Sequence, residues 1–542
     1  MRTHYIVVTG GVLSGIGKGT VAASIGKLLK SQGYTVTAVK IDPYINIDAG
    51  TMRPTEHGEV FVTDDGGETD QDIGTYERFL ETTLTRRENM TTGQVYEMVI
   101  HKERNLEYGG KCVEVIPHIP QEVQARIRES SERAKAEFCL IEVGGTVGDY
   151  QNVLFLEAMR EMKLQGENVI FVHVSYLPVP GHLGEMKTKP TQRSVRDLNA
   201  IGIQPDFIVT RSQKELDAVR REKLSLFCNV FPDRVISAPD VKYIYEVPLL
   251  FDRQTFCRKI LELVGLKYKP GMLAQWERFV DKIKNVQDTL TIGIVGKYFD
   301  IGDFTLEDSY VSVIEAVKHA CWNNEVKPSI IWIDSKQFET DPSTLTNLEG
   351  FDGIIVPGGF GKGGVEGKIA AIQHARENDI PILGLCLGMQ LMVIEYARNV
   401  CGIKGATSGE FDEKAEHKVI DIMPEQKEIV AKGAYGATMR LGAYVAQLRK
   451  GSKVHALYGS DHASERHRHR YEVNPEYVTK LEKHGLVFSG TSPDGVLMEF
   501  LELKDHSYFV ATQAHPEFKS WPSRPSPLFD GLIKAAAAKK KR

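Results

Sequence analysis

Short apolar segments alternate with amphipathic segments along the N-terminal half, and this alternation limits the possible folds more than any other feature. An apolar run of about four to eight residues fits a buried strand, whereas a longer run with apolar residues every three or four positions fits a helix. Alternation of the two predicts a parallel sheet covered by helices. The predicted strands are residues 4–9, 34–41, 137–143, 168–175 and 206–211, and helical segments lie at 18–31 and 121–135.

The alternation breaks once and then begins again. Residues 267–271 read KYKPG, a combination that ends regular structure, and a charged helical segment follows to about Asp288. A chain of 542 residues exceeds the usual size of one domain. The sequence therefore predicts an α/β protein with two Rossmann-like domains, at residues 1–268 and 289–542, joined by a linker at 269–288. The strands predicted in the second domain are 289–296, 328–334, 352–356 and 381–385.

Charge and cysteine content exclude several classes of protein. Lys and Arg total 67 against 72 acidic residues, a net charge of −5, whereas nucleic-acid-binding proteins carry a basic excess. The seven cysteines are scattered without a Cys-x-x-Cys pair, which argues against a disulfide framework or zinc site and for a reducing compartment. The apolar runs are too short to span a membrane. Taken together, the charge, the cysteines and these short runs predict a cytoplasmic protein that binds neither nucleic acid nor membrane.

The first predicted strand runs into GGVLSGIGKGT at residues 10–20, which is typical of a phosphate-binding loop followed by a helix. Backbone N–H groups and the helix dipole would hold phosphates there, and Lys18 would neutralise their charge. The segment departs from the usual pattern twice. Val12 replaces a Gly, and Gly19 replaces the Ser or Thr whose hydroxyl binds magnesium. A glycine-rich turn without a ligand is the alternative interpretation.

Two carboxylates are candidates to replace the missing hydroxyl. Glu142 ends the apolar strand 138–142, where a parallel sheet directs its carboxyl end toward a ligand. Asp72 ends the acidic segment DDGGETDQD at 64–72. Carboxylate oxygens facing a triphosphate suit Mg²⁺. A solvated loop is the alternative interpretation of the acidic segment.

The segment GEMKTKPTQ at 184–192 places Lys187 and Lys189 two positions apart before a proline. In an extended segment both ammonium groups would face one side, as the phosphates of a second nucleotide require. The Thr and Gln side chains can hydrogen-bond the edge of a base. A lysine-rich surface loop is the alternative interpretation.

The C-terminal domain carries a cysteine where a predicted strand meets a helix, in PILGLCLGMQ at 381–390. Gly384 and Gly388 flank Cys386, as in a nucleophile elbow, where a strained turn exposes the side chain at a helix N-terminus. The positive end of that helix favours the thiolate, which is the reactive form. A small, buried, inert cysteine is the alternative.

A histidine and a carboxylate near the end of the same domain complete the chemistry. In AHPEF, at 514–518, Pro516 pushes His515 toward an extended conformation. Residues i and i+2 of an extended segment share a face, which predicts that Glu517 lies beside His515 and fixes its tautomer. Cysteine, histidine and carboxylate supply the three roles of acyl-transfer catalysis.

A third glycine-rich turn, VPGGFG at 356–361, follows another predicted strand. Small residues there would let backbone N–H groups approach a substrate carbonyl. Together with the N–H of Leu387 they would form an oxyanion hole. An ordinary glycine-rich loop is the alternative.

PGGFG, GLCLGMQ and HPEF, in this order, resemble the class I glutamine amidotransferases. The resemblance implies that Cys386 attacks the side-chain amide of glutamine and releases ammonia, with His515 as acid/base and Glu517 as its orienting group. An amino acid offers an ammonium and a carboxylate for pairing, although a structural salt bridge is the alternative role of the acidic and basic residues. The implied glutamine-binding residues are Gly359, Leu387, Gly388, Met389, Gln390, Glu410 and Arg470.

Over nearly the whole chain, TGGVLSGIGKG, KIDPYIN, HGEVFVTDDG, EVGGTVGD, KTKPTQ and LFCNV resemble the CTP synthase family in the family's order. The resemblance implies that ATP phosphorylates O4 of UTP and that ammonia then displaces phosphate at C4 to give CTP. The implied ATP-binding residues are Gly15, Ile16, Gly17, Lys18, Gly19, Thr20, Asp72, Asp240 and Val241. The implied UTP-binding or CTP-binding residues are Ser14, Asp149, Tyr150, Gln151, Lys187, Thr188, Lys189, Pro190, Thr191, Gln192 and Lys223.

The same resemblance implies further roles and partners. Lys18 and Lys40 would stabilise the transferred phosphoryl group, Asp72 and Glu142 would bind Mg²⁺, and His57 would lie at the ammonia entry. GTP is implied as an activator, CTP as a feedback inhibitor, and a homotetramer as the assembly.

The chain departs from the family pattern at two positions. Gln151 stands where a Glu is usual, and Gly363 stands where an Arg is common, beside the region linked to GTP activation. Two other functions remain open at this point. One is a P-loop amidotransferase that activates a carboxylate, such as a cobyrinate-type amidase, and the other is a non-catalytic ATP-dependent switch or filament protein.

Overall fold

The structure is a computed structural model that describes residues 2–181, 184–296, 300–301, 304–305, 307–423, 426 and 436–541. The chain divides into two compact units. The first comprises Met1–Asp48 and Asp72–Asp281, and the second comprises Ala49–Gln71 and Lys282–Arg542. Residues 49–71 thus pack with the C-terminal half, whereas the sequence-based division assigns them to the N-terminal domain.

The described residues of the first unit form a seven-stranded sheet in which every pair of neighbours is parallel. All five predicted strands are confirmed, and their residues are buried on both faces, as a parallel sheet between helices requires. The sequence missed the two edge strands, which are short and mark no long apolar run. From edge to edge the strands are Asn89–Thr91, Val36–Asp42, Phe138–Val143, His4–Gly11, Asn168–Tyr176, Phe207–Ser212 and Val235–Pro239.

Helices lie on this sheet, and both predicted helical segments are present. Apolar side chains of the helices and of the strands pack in one core, for example Val123 of a helix and Ile141 of a strand. The helices are Lys18–Ser31, Gln71–Leu80, Thr92–Arg104, Val115–Arg133, Val153–Leu164, Lys189–Ala200, Ala218–Cys228, Val247–Arg253 and Phe256–Leu263.

The predicted linker contains a helix, Ala274–Asn285, that docks on the first unit through an aromatic residue. Trp276 is buried, its indole N–H donates to the Tyr245 carbonyl oxygen at 2.9 Å, and its ring lies 5.8 Å from that of Phe79. Burial of one Trp contributes about 3 kcal/mol or more to packing.

The second unit contains a mixed sheet whose described strands number nine. Four predicted strands are confirmed in its parallel half, which also holds a strand that ends just before the AHPEF segment. The other half is antiparallel and was not predicted, because those strands carry polar residues on one face. From edge to edge the strands are Lys327–Asp334, Thr289–Gly296, Gly353–Val356, Ile382–Leu385, Phe509–Thr512, Met498–Leu503, Leu486–Thr491, Arg440–Leu448 and His462–His469.

Smaller elements complete the second unit. Its described helices are Pro54–His57, Val311–Asn323, Lys336–Thr340, Val365–Glu377, Leu387–Asn399, Lys453–Tyr458, Pro475–Lys483 and Pro527–Lys540. Short strands form a hairpin of Phe61–Val62 with Glu68–Thr69, a pair of Asp300–Ile301 with Phe304–Thr305, and a three-stranded sheet of Thr407–Ser408, Lys418–Ile422 and Tyr471–Val473. Across the described chain, each helix lacks the length or the apolar composition needed to cross a membrane.

In each unit the candidate residues follow the carboxyl ends of neighbouring parallel strands. The loop at residues 12–17 follows the strand His4–Gly11, and Glu142 lies near the end of Phe138–Val143. Cys386 follows Ile382–Leu385, and VPGGFG begins at the end of Gly353–Val356. The crevice at this edge is where ligands bind in open α/β sheets.

Candidate functional site

The phosphate loop of the first unit is wound tightly between its strand and its helix. Val12, Gly15 and Gly17 have positive φ angles of 83°, 68° and 82°, and Gly17 is the residue that precedes the helix beginning at Lys18. Glycine adopts this left-handed conformation without steric cost, whereas Val12 does so under strain. The loop therefore presents a helix N-terminus at the sheet edge, where its N–H groups can bind an anion.

Lys18 is held inside this loop rather than extended into solvent. Its Nζ donates to the carbonyl oxygen of Gly145 at 3.1 Å, and the side chain is buried. Burial lowers the pKa of Lys18, although the nearby carboxylate of Glu142 acts in the opposite direction. The EVGGTVGD segment is attached to the same loop, because the N–H of Val147 donates to the Gly10 carbonyl oxygen at 2.8 Å.

The carboxylate of Asp72 explains why position 19 is a glycine. A Cβ placed on Gly19 would lie 2.0 Å from Asp72 Oδ1. The space that a Ser or Thr side chain takes in the usual loop is thus filled by a carboxylate from another segment. The structure thus accounts for the glycine at position 19 by the place of the Asp72 carboxylate.

Lys40 lies between three acidic side chains. Its ammonium contacts Asp72, and it lies 3.5 Å from Asp42 Oδ1 and 3.8 Å from Glu142 Oε1. The hydroxyl of Tyr76 donates to Glu142. The structure thus brings together the two predicted magnesium ligands and the predicted phosphoryl-binding lysine.

Among the described residues, no group of three or more His, Cys, Asp or Glu side chains is arranged to hold a metal ion by itself. Two carboxylates, with the remaining positions left to water and phosphate oxygens, are the set that Mg²⁺ uses in nucleotide sites. The Lys40 ammonium between them shows that this position favours a cation. The residues present therefore fit the predicted ion.

The sequence analysis missed Arg211, which lies between the phosphate loop and Asp240, one of the predicted ATP-binding residues. A Cβ on Gly17 would lie 3.7 Å from Arg211 Nε, and the guanidinium pairs with Asp240 Oδ1 at 3.0 Å. Val241 follows directly. An arginine at the end of a parallel strand, Phe207–Ser212, is the signal that could have identified it.

The expectation of an extended KTKPTQ segment is wrong. Thr188 has helical angles, and a helix begins at Lys189 with Pro190 in its first turn, a position that proline favours. Lys187 pairs with Glu185 at 2.7 Å, and Lys189 lies 5.8 Å from the centre of the Phe227 ring. The two ammonium groups therefore have separate surroundings and are not aligned by a strand.

The other predicted uridine-nucleotide residues divide by burial. Thr191 and Gln192 are buried, and Thr191 accepts a hydrogen bond from Ser175 at 2.8 Å. Tyr150 is 97 % exposed. Further surface residues of this set are Ser14, Asp149, Gln151, Lys189 and Lys223.

In the second unit, Cys386 has φ 49° and ψ −104°, the strained backbone of a nucleophile elbow. Both flanking glycines are required by packing. A Cβ on Gly388 would lie 2.1 Å from the Val356 carbonyl oxygen, and one on Gly384 would lie 2.8 Å from the Met392 sulfur. The absence of side chains at these positions lets strand and helix approach at the turn.

His515 and Glu517 lie beside the cysteine, but not for the predicted reason. His515 Nδ1 lies 2.7 Å from Glu517 Oε1, and a Cβ on Gly358 would contact both the His515 ring, at 2.8 Å, and Cys386 Cβ, at 3.5 Å. The segment is not an extended strand, since Pro516–Lys519 form a 3₁₀ helix. Pro516 starts that turn, and the turn brings Glu517 back toward His515.

The charge of His515 is governed by its two neighbours. Burial disfavours the imidazolium, but the negative charges of Glu517 and of the Cys386 thiolate, with hydrogen bonds to both, outweigh burial and raise the pKa of His515 to about 10. The imidazolium form of His515 is therefore stabilised from both sides, by the Glu517 carboxylate and by the Cys386 sulfur.

A cavity of 560 Å³ opens beside this group. The three catalytic candidates line it. Five of the predicted glutamine-binding residues line it as well, namely Gly359, Leu387, Gln390, Glu410 and Arg470. Glu410 accepts the Gly361 N–H at 2.7 Å, which connects it to the PGGFG turn. Arg470 donates to Gln426 at 2.5 Å and to Thr438 at 2.8 Å.

Two predicted members lie outside the lining of this cavity. Gly388 packs against the backbone of Val356, and Met389 lies fully buried in the hydrophobic core of the unit. They support the helix behind Cys386 instead of facing the cavity.

One wall of the cavity comes from residues 49–71, which the sequence analysis did not predict. Gly50, Thr51, Met52, Pro54, Glu59 and Val60 contribute. Two ion pairs hold this segment in place, Asp64 with Arg466 at 2.5 Å and Glu68 with Arg468 at 2.7 Å. The alternating arginines of RHRHR were the sequence feature that could have predicted acidic partners from another segment. His57, in the same segment, lies 3.5 Å from Asp70.

Comparison with known proteins adds an independent line of evidence. Residues 4–266 match the model of the CTP synthase N-terminus, and residues 305–535 match the class-I glutamine amidotransferase model. The chain is 54% identical to a CTP synthase of Pyrococcus furiosus over 98% of both chains, and 52% identical to one of Methanocaldococcus jannaschii over 99% of both. A solved glutaminase domain of Trypanosoma brucei CTPS with bound acivicin is 40% identical, with a TM-score of 0.43, over 46% of this chain and 94% of that one.

The electrostatics of the triad predict the effect of Glu517→Gln. Burial lowers the pKa of His515, and without the carboxylate only Cys386 would still raise it. The pKa of His515 should therefore fall from about 10 by about two units or more. The ¹³C chemical shift of the His515 ring, followed against pH in histidine-labelled protein, measures this. Cys386→Ala is the companion variant and should also lower the pKa of His515, because it removes the other group that raises it. A His515 titration that is unchanged in Glu517→Gln would contradict the pairing.

Proposed function

The chain belongs to the CTP synthase family, and we propose that its two units perform the two halves of one reaction. The reaction is the ATP-dependent amination of UTP to CTP, with ammonia from glutamine. Two family matches in one chain, and relatives aligned over nearly their full length, support a glutamine-hydrolysing ligase. In this proposal the second unit releases ammonia and the first unit uses it.

The second unit would hydrolyse glutamine with Cys386 as the nucleophile and His515 as the acid/base. Because the pKa of His515 is raised to about 10, an imidazolium can stand beside Cys386 while its thiolate attacks the amide carbon. The imidazolium then gives its proton to the leaving nitrogen, and ammonia departs. Neutral His515 next removes a proton from water, which attacks the thioester and regenerates the thiolate.

The cavity provides the means to hold the amino-acid end of glutamine. Glu410 and Arg470 both line it and carry the charges opposite to an ammonium and a carboxylate. Gly359 and Leu387 also line the cavity, in the two turns beside Cys386. Their backbone N–H groups would donate to the oxyanion that forms there. A free amino acid with an amide side chain matches this arrangement.

The first unit would bind ATP at the phosphate loop and direct a phosphoryl group to UTP. Lys18 at the helix N-terminus and Lys40 between the carboxylates supply positive charge for the phosphates. Asp72 and Glu142 would hold Mg²⁺, which when bound would neutralise the charge of the phosphate oxygens. The deviation of the loop from the usual pattern is compatible with this role, because Asp72 supplies oxygen in place of the missing hydroxyl.

Regulation, assembly and location are also part of the proposal. We propose GTP as an activator, CTP as a feedback inhibitor, a homotetramer with nucleotide sites completed by neighbouring copies, and a cytoplasmic enzyme. The exposed Tyr150, Lys189 and Lys223 support shared sites, and seven unpaired cysteines support a reducing compartment.

Since Gly363 offers no guanidinium, stimulation by GTP is expected to be weak, which the synthesis assay with and without GTP would measure.

Cys386→Ala should separate the two halves of the reaction. Without the sulfur no thioester forms, so glutamine-dependent CTP synthesis should be lost. Synthesis from added ammonium chloride should stay within about twofold, because the nucleotide sites are in the other unit. The measurement is conversion of UTP to CTP with ATP and Mg²⁺. Lys18→Ala is the opposite case and should reduce both syntheses by about 100-fold or more. Loss of both activities in folded Cys386→Ala would contradict the division.

Gly19→Ser restores the usual loop pattern and should nevertheless inactivate the enzyme. The new Cβ would meet the Asp72 carboxylate, and displacing that group by about 1 Å should cost about 100-fold in CTP synthesis from either nitrogen source. The same change at Gly350, where a Cβ would meet nothing within 4 Å, is the matched control. Wild-type synthesis by Gly19→Ser would show that Asp72 does not occupy the hydroxyl position.

A further inference from the structure

A line of hydrogen bonds leads through the interior of the second unit to the sulfur of Cys386. The carbonyl oxygen of Tyr471 accepts from Gln390 Nε2 at 2.9 Å. The same nitrogen lies 3.2 Å from Gln513 Oε1, and Gln513 Nε2 lies 3.7 Å from Cys386 Sγ. The triad mechanism makes no use of Gln513.

The direction of these hydrogen bonds is set at the carbonyl end. A carbonyl oxygen carries no proton, so Gln390 must turn its amide NH₂ toward Tyr471. The second hydrogen of that NH₂ then points to Gln513, which must offer its oxygen. Only the NH₂ of Gln513 remains for Cys386. The reverse orientation would oppose two NH₂ groups at one contact and place an amide oxygen on the sulfur.

Burial makes this contact significant. Gln513 has no exposed surface, Gln390 is 3 % exposed and Cys386 is 4 % exposed. In surroundings of low polarity a donor facing a negative charge interacts more strongly than it would in water, and a mismatched group is costly. A thiolate is a strong acceptor, whereas a thiol sulfur is a weak one.

The two protonation states of Cys386 have different partners. The carbonyl oxygen of Arg468 lies 3.8 Å from Sγ and can only accept, so it suits the thiol. Gln513 Nε2 can only donate, so it suits the thiolate. The donor offsets the repulsion that the Arg468 carbonyl would exert on a negative sulfur.

We propose that Gln513 is a catalytic residue that donates a hydrogen bond to the Cys386 thiolate, and that Gln390 positions it through its side-chain oxygen. The inference rests on the proposed role of Cys386 as the nucleophile. Gln513 adds what His515 cannot supply throughout the cycle. His515 gives its proton to the leaving ammonia, whereas the amide of Gln513 keeps its hydrogens and faces the sulfur again when the C–S bond breaks.

The test is the pH dependence of Cys386 alkylation by iodoacetamide without glutamine, followed on the Cys386 peptide by mass spectrometry. Gln513→Met keeps the length of the side chain and removes the donor. The pH of half-maximal alkylation should rise by about one unit or more. Gln513→Glu keeps the shape and places a carboxylate beside the thiolate, so its shift should be larger. Glutamine-dependent kcat/KM should fall by about 10-fold to 100-fold in both variants, while ammonia-dependent synthesis is retained.

A double variant distinguishes this role from general loss of packing. If Gln390 acts through Gln513, Gln390→Met should raise the half-maximal pH less than Gln513→Met does. Adding Gln390→Met to Gln513→Met should then cause no further rise, whereas independent structural effects would add. Gln447→Glu, the same chemical change as Gln513→Glu on an exposed strand residue, is the control and should leave the profile unchanged.

The outcomes separate this inference from the proposed function. An unchanged alkylation profile in folded Gln513→Met would overturn the role of Gln513 and leave Cys386 as the nucleophile. Glutamine hydrolysis that persists in Cys386→Ala would instead overturn the proposed function. Should Gln513→Met not fold, the isosteric Gln513→Glu decides, because an unchanged profile there would also overturn the inference.

Discussion

Both proposed reactions depend on one backbone arrangement, in which the chain passes from a parallel strand into the first turn of a helix through a residue with a positive φ angle. In the first unit Gly17 takes that conformation, with φ 82°, and Lys18 follows it. In the second unit the reacting residue Cys386 takes it, with φ 49°. Each chemical group thereby lies at the positive end of a helix, which suits phosphates in one case and a thiolate in the other.

The two turns bear different steric costs. Glycine accommodates the conformation freely, but a residue with a Cβ is strained by about 1–3 kcal/mol. The structure sustains the strain at Cys386 through close packing on both sides, where Gly388 contacts the Val356 backbone and Gly384 contacts Met392. The glycines of the elbow are thus required by the approach of strand and helix, and the cysteine is exposed to the cavity as a result.

Much of the fold could be predicted because buried parallel strands leave continuous apolar runs. The strands near 4–9 and 289–296 are examples. The antiparallel strand His462–His469 could not be predicted in this way, since its arginines and histidines are balanced by partners that periodicity does not show. Arg466 and Arg468 pair with acids about 400 residues earlier in the chain. Only the folded structure shows that residues 49–71 form a wall of the cavity.

The residues of the candidate site could be predicted where they are neighbours in sequence, but the local backbone conformation that brings them together could not. Glu517 lies beside His515 as predicted, but through a 3₁₀ turn that Pro516 begins. The proline correctly indicated that a helix could not include His515, but proline also favours the first position of the next turn. The same preference explains the KTKPTQ segment, where the residue before Pro190 begins a helix instead of extending a strand.

The orientation of polar groups is a level of structure that residue types alone do not encode. A glutamine can donate or accept, and neither Gln390 nor Gln513 reveals in sequence which end faces its neighbour. The Tyr471 carbonyl removes that ambiguity, since an acceptor at one end leaves a donor at the other. A carboxylate acts similarly on His515, because Glu517 at Nδ1 leaves Nε2 to face the sulfur side. The sulfur of Cys386 therefore lies between two donors, and the direction of each donor is determined by a group that does not itself contact the sulfur.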